Sequence, residues 1–134
     1  MTRIYSFLFL FFLLSAPKAY SFAKVSPKAY SYSLADVDYS KADSTKVVKL
    51  LREASHLKSS TNWMTYFGKQ FCGLPYVAKT LEKNKTERLI VNLRQLDCTT
   101  FVETTLALTL CAKNGKTSFV DYCHYLRLVR YRQG

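Results

Sequence analysis

Leu96-Asp97-Cys98-Thr99-Thr100-Phe101-Val102-Glu103 decides how this chain is read. Just before it, Arg88-Leu89-Ile90-Val91-Asn92-Leu93 is short, β-branched and apolar, the composition of a strand. Just after it, residues to about Cys111 are apolar almost all round, which predicts a helix buried within a larger body. Thr100 and Glu103 have capping-box spacing, and Asp97 is an alternative N-cap. Either cap places Cys98 where a strand hands over to a helix. There, unpaired N–H groups and the helix dipole favour a thiolate. A nucleophile is one reading of such a cysteine, and a buried packing residue is the other.

Outward from this segment, the spacing of Val47, Leu50, Leu51, Ala54 and Leu57 predicts an amphipathic helix over Lys46–Leu57, capped by Asp43 or Ser44. His56 falls opposite Val47, on the solvated side. A second helix is expected after Ser60 or Thr61, with Met64, Phe67 and Phe71 on one face, Gly73 ending it and Pro75 preventing its continuation. A last helix is expected from Ser118 to about Tyr131, with Phe119, Tyr122, Cys123, Leu126 and Arg130 on one side. His124 lies off that face, beside Arg127, and reads as an exposed polar residue rather than a catalytic base. One strand cannot satisfy its own backbone. The inventory therefore reads as the front portion of an α+β domain, with the remaining strands expected beyond Gly134.

The amino terminus has a different character. Met1, Thr2 and Arg3 precede an apolar run, Ile4 to Leu14, broken only by Ser6 and followed by small residues around Ala19, Ser21 and Ala23. This is the pattern of a secretory signal peptide over residues 1–23, cut after Ser21 or Ala23. Eleven residues are too few to cross a bilayer, which takes roughly 20. The expected protein is exported, periplasmic or extracellular, with no stable membrane span once the signal is gone. Residues 24–42 show no sustained period and read as an N-terminal arm or linker, and 43–134 as the domain proper. Pro17-Lys18-Ala19-Tyr20-Ser21 recurs as Pro27-Lys28-Ala29-Tyr30-Ser31.

The net charge of +11 falls to +9 when Arg3 and Lys18 leave with the signal. Such a protein is drawn to anionic polymers, bacterial wall among them. Its bases are scattered and do not interleave with aromatics, so nucleic acid is not the expected partner. The four cysteines, Cys72, Cys98, Cys111 and Cys123, contain no CxxC pair, and no metal site or cofactor is expected. If Cys98 stays a free thiol, at most one disulfide remains among the other three. Asn84-Lys85-Thr86 fits a glycosylation triplet, to which no meaning is attached.

Gly73-Leu74-Pro75-Tyr76 followed by Asp97-Cys98-Thr99-Thr100-Phe101-Val102 resembles the core of the NlpC-type, papain-like cell-wall cysteine peptidases. More closely, Gly73–Glu82 with Val91-Asn92-Leu93 and Leu96–Glu103 resembles the bacterial N-acetylmuramoyl-L-alanine amidase-like family. The resemblance runs from about Met64 to the end of the chain. It implies a papain-like α+β fold whose N-terminal helices and catalytic-cysteine helix are present, with most of an antiparallel sheet lying beyond the C-terminus. It also implies that Cys98 is the nucleophile, that Asp97 belongs to the cap seating it, and that the Tyr76 hydroxyl lies near the developing oxyanion. Glu82 and Glu103 are assigned structural roles only. The pattern departs from the family at Lys79, where a glycine is expected. It departs also in the base, since the family's histidine lies on a strand after the catalytic helix and only His56 and His124 are present. The implied function is hydrolysis of a peptidoglycan or muropeptide amide, with the chain as written nearly inactive. The alternatives are a non-catalytic, basic wall-binding module and a small disulfide-stapled protein.

Overall fold

Residues 33–82 and 86–131 are described in the computed structural model of the chain. The expected signal peptide, the expected arm as far as residue 32, and Asn84 and Lys85 of the glycosylation triplet lie outside them. A 3₁₀ turn at Leu34–Asp36 leads into β1 (Val37–Tyr39). Helices α1 (Lys41–Ser55) and α2 (Trp63–Lys69) follow, then β2 (Leu89–Val91), α3 (Cys98–Lys113) and α4 (Phe119–Arg130). The architecture is helix-rich α+β, with a two-stranded sheet.

The strand expected to stand alone has its partner upstream. β1 pairs with β2 in parallel, Val37 opposite Leu89, Asp38 opposite Ile90 and Tyr39 opposite Val91. Residues 34–39 thus supply structure within the stretch expected to be an arm or linker. The observed pair is parallel. A parallel pair needs a long crossover, and α1 and α2 lie within it. β2 is also shorter than the six residues expected, because the amide of Leu93 leaves the ladder for a side chain of α1.

That side chain is Asp43. Helix α1 begins five residues earlier than expected and is capped by Ser40, with Asp43 at the third helical position completing a capping box. The Ser40 hydroxyl accepts from the Asp43 amide at 3.2 Å, and Asp43 Oδ2 accepts from the Ser40 amide at 3.1 Å. Asp43 is nevertheless buried. Its Oδ1 accepts from the Leu93 amide at 2.9 Å and has the Arg94 guanidinium at 3.4 Å. Lys46, one turn on, donates to the Leu93 carbonyl at 3.1 Å and lies over the Phe71 ring at 5.0 Å. Burial lowers its pKa against the opposing pull of Asp43. The start of α1 therefore grips both backbone groups of the residue that follows β2.

Helix α3 is the central element, packed against α1, α2 and α4. It buries Thr100, Thr104, Thr105, Ala107, Leu108, Thr109 and Cys111. Threonine is tolerated inside because its hydroxyl finds local partners: Thr105 donates to the Phe101 carbonyl at 2.7 Å, and Thr109 reaches Met64 Sδ at 3.3 Å. The expectation of a helix buried on all sides holds over its later turns and fails at its start, where Phe101 and Val102 are exposed. Helix α4 buries Phe119, Tyr122, Cys123 and Leu126, the expected face. Arg130 continues that face. Its Nε pairs with Glu103 Oε2 at 2.8 Å, and its Nη1 donates to the Ile90 carbonyl at 2.8 Å, locking α4, α3 and β2 together. Glu103 thus serves this ion pair and not the cap of α3.

Asp43→Ala removes a cap and leaves the buried Leu93 amide without an acceptor. The expected loss is about 2–4 kcal/mol, with Asp43→Asn milder because it keeps an acceptor. Urea unfolding of the two variants against the parent checks the order.

Candidate functional site

Asp97, not Thr100, caps α3. Its Oδ1 accepts from the Thr100 amide at 2.8 Å, while Thr100 Oγ1 donates back to Asp97 Oδ1 at 2.7 Å and accepts from the Asp97 amide at 2.9 Å. These bonds, the amide and hydroxyl of Thr100 first among them, hold the Asp97 carboxyl below the usual aspartate range. Cys98 is then the first helical residue, as the sequence suggests, and it is exposed. Its sulfur has Thr99 Oγ1 at 4.0 Å.

The second motif is brought to the same place by backbone pairing. Leu96 donates to the Pro75 carbonyl at 3.2 Å, and Val77 donates to the Leu96 carbonyl at 3.2 Å. This forms a parallel bridge between Tyr76 and Leu96. Neighbouring strands lie about 4.8 Å apart, so the backbone of Tyr76 runs beside a residue two positions before Cys98. The Tyr76 side chain is 70% exposed. Tyr76, Asp97 and Cys98 therefore share one surface region. No sequence signal names Leu96 as the partner of Tyr76, because a single bridge leaves no periodic trace.

Two residues of the Gly73–Glu82 segment have left-handed backbones. Gly73 has φ of 84° after the turn that follows α2, with nothing within 4 Å of an added Cβ, so its backbone alone calls for glycine. Helix α2 ends at Lys69, short of Gly73, and its cap is Asn62. Lys79 has φ of 62°. The glycine expected there is the residue this conformation favours, and lysine adopts it at a cost of about 1 kcal/mol. Its side chain is exposed, so it points to solvent. The Glu82 amide closes the following turn onto the Lys79 carbonyl at 3.3 Å, and Thr80 between them is buried.

Neither histidine belongs to this region. His56 caps the far end of α1, and 13 residues at 1.5 Å each put it about 20 Å from Asp43, the end that holds Leu93. His124 is half-buried rather than exposed, its ring 5.3 Å from that of Tyr125, and burial lowers its pKa. Helices α3 and α4 run antiparallel, with Arg130 beside Glu103 and Lys116 beside Asp121. That register sets His124 level with Cys111 and Ala112, about 20 Å along α3 from Cys98.

The other cysteines divide by depth. Cys72 is exposed, its thiol turned toward the Gly68 carbonyl at 3.8 Å. Cys111 and Cys123 are buried, and burial pushes both thiols up, Cys123 to about 12. Among the described residues no His, Cys, Asp and Glu cluster could hold a metal ion, and no helix is long and apolar enough to cross a membrane. A recess lined by Thr80, Thr100, Thr104, Tyr122 and Arg130 opens behind the start of α3. The Tyr122 hydroxyl is fully buried there, and burial raises its pKa.

The comparisons with known proteins bear on this region. A family model described as N-acetylmuramoyl-L-alanine amidase-like (AmiA-like) matches residues 66–134, just over half the chain and inclusive of both motifs. No curated protein and no solved structure gives a significant match.

Lys79→Gly is expected to raise stability by up to about 1 kcal/mol, and Lys79→Val to lower it by about 1 kcal/mol. Thermal melts of the three proteins test the left-handed assignment. On brief alkylation of the reduced, folded protein, Cys98 and Cys72 are expected to label well ahead of Cys111 and Cys123, as read by peptide mass.

Proposed function

Because the chain belongs to the N-acetylmuramoyl-L-alanine amidase-like family, we propose that it serves an exported cysteine amidase. Its substrate would be the amide joining N-acetylmuramic acid to L-alanine in peptidoglycan. The observation that carries this reading is the backbone bridge between Tyr76 and Leu96, which gathers Tyr76, Asp97 and Cys98 at the start of α3. In the proposed cycle the Cys98 thiolate attacks the amide carbonyl, and a C–S bond forms. The C–N bond then breaks as the leaving nitrogen takes a proton, and the amino terminus of L-alanine departs. Water hydrolyses the remaining thioester and restores the thiol. Tyr76 is proposed to donate its hydroxyl to the oxyanion, and Asp97 to seat Cys98 through the cap. The fold proposed for the whole domain is papain-like and NlpC-type.

The leaving nitrogen needs a general acid, a contribution of about 10²–10⁴-fold. Neither His56 nor His124 is proposed to give it. The proposal places the acid in a histidine outside residues 1–134, in line with the strand histidine that the resemblance implies. Residues 1–134 alone are then expected to release almost no product. The basic surface, +11 over the sequence, supports attraction to an anionic wall polymer.

The assay is the appearance of free L-alanine amino termini from purified sacculi. A polypeptide extended to include that histidine is expected to turn over. Cys98→Ala should abolish turnover, and Tyr76→Phe should cost up to about 10²–10³-fold. An extended Cys98→Ala protein that still cleaves rejects the mechanism. An extended protein that binds sacculi without cleaving, its Cys98 reduced, identifies a wall-binding module instead.

A further inference from the structure

We propose that Cys111 and Cys123 are a disulfide-forming pair that staples α3 to α4 and leaves Cys98 as a free thiol. The placement of the two residues follows from how the helices pack. Glu103 and Arg130 are ion-paired at 2.8 Å toward one end of the antiparallel hairpin. At the other end, Lys116 and Asp121 lie 4.0 Å apart across the turn. Interpolating between these contacts sets Cys111 level with His124 and Tyr125, one to two residues along α4 from Cys123. Both cysteines face the interface, with relative exposures of 0% and 3%, and both belong to the same core cluster. In the structure as it stands both are free, buried thiols. Ala107 and Ala112 flank Cys111, and such small side chains let the helices approach. A disulfide needs Cα atoms about 4.4–6.8 Å apart, which facing residues of closely packed helices reach.

The other pairings are disfavoured by position. Cys98 and Cys111 sit 13 residues apart on one helix, about 20 Å along its axis. Cys72 is exposed on the turn that follows α2, whereas Cys111 and Cys123 are enclosed. The step requires an oxidant, here glutathione disulfide or the disulfide of a thiol–disulfide exchange protein. Cys111 and Cys123 each give up one hydrogen, the S–S bond forms, and one oxidant disulfide is reduced to two thiols. Because burial suppresses both thiolates, exchange belongs to the stage at which α4 docks, before the core closes.

The full chain, reduced in denaturant and refolded in a glutathione redox buffer, gives the test. The product is quenched with iodoacetamide under denaturing conditions and mapped without reduction. The expected map joins the Cys111 peptide to the Cys123 peptide, with intact mass lower by two hydrogens before alkylation and with Cys72 and Cys98 both carbamidomethylated. Reducing the linked protein should lower its melting midpoint by about 10 °C. Recovery of Cys111 and Cys123 as separately alkylated peptides overturns the proposal, and so does a predominant bond from either to Cys72 or Cys98. The map depends on neither cleavage of sacculi nor the role of Cys98, so its outcome is separate from that of the amidase assay.

Discussion

The carboxylate of Asp43 is the contact on which the placement of the candidate site depends. It completes the cap of α1 with one oxygen and receives the Leu93 amide with the other, joining residues 50 positions apart. A buried carboxylate is costly unless its lone pairs are used. Here the Ser40 amide and hydroxyl, the Leu93 amide and the Arg94 guanidinium use them. Lys46 takes the Leu93 carbonyl. With both groups of Leu93 fixed, Arg94–Asp97 has little freedom before α3 begins, and the height at which Cys98 emerges is set by α1. Pairing of Leu96 with Pro75 and Val77 then brings in the second motif. A side chain at the end of a rigid helix whose cap is fixed by hydrogen bonds is better placed than one on a free loop.

How far this was legible in the sequence depended on the range of the interaction concerned. Helix α4 was readable because its cap and its 3.6-residue stripe are local, and Asp97 was readable as a cap for α3 for the same reason. The beginning of α1 was misplaced because Asp43 is a plausible N-cap in isolation. Ser40 and Asp43 form a reciprocal box, and the burial of Asp43 is a tertiary fact. β1 was missed because Val37-Asp38-Tyr39 is too short to display an alternation, and only Val37 is buried. Its absence from the reading made β2 look solitary and moved its partner beyond the C-terminus. His124 was taken as exposed from its position off the apolar stripe, yet the neighbouring Tyr125 ring helps to cover it.

The residues of the site divide along the same line. Cys98 and Asp97 could be placed from sequence because a strand, a cap and a helix meet there within ten residues. Tyr76 could be brought to them only by resemblance, because nothing local says that Pro75 and Val77 hydrogen-bond to Leu96. Lys79 is the instructive departure. The family pattern has a glycine where this chain carries a long side chain. The structure assigns the glycine preference to backbone conformation, since φ is 62° and the side chain is solvent-facing. Substitution there taxes the stability of the turn.

Helix α3 carries two kinds of cysteine, and the difference is one of depth. At its first residue Cys98 is exposed, on a turn whose flanking Phe101 and Val102 are also uncovered. Near its last turn Cys111 is sealed beneath α4. Exposed apolar side chains thus lie beside an accessible thiol, at the end of the helix beyond the Glu103–Arg130 contact with α4. Along its later turns the helix is packed against the buried face of α4. The same helix is therefore anchored at one end and exposed at the other. Its anchoring comes from the packed end and the Glu103–Arg130 pair, and the exposure of Cys98 from the end those contacts leave free.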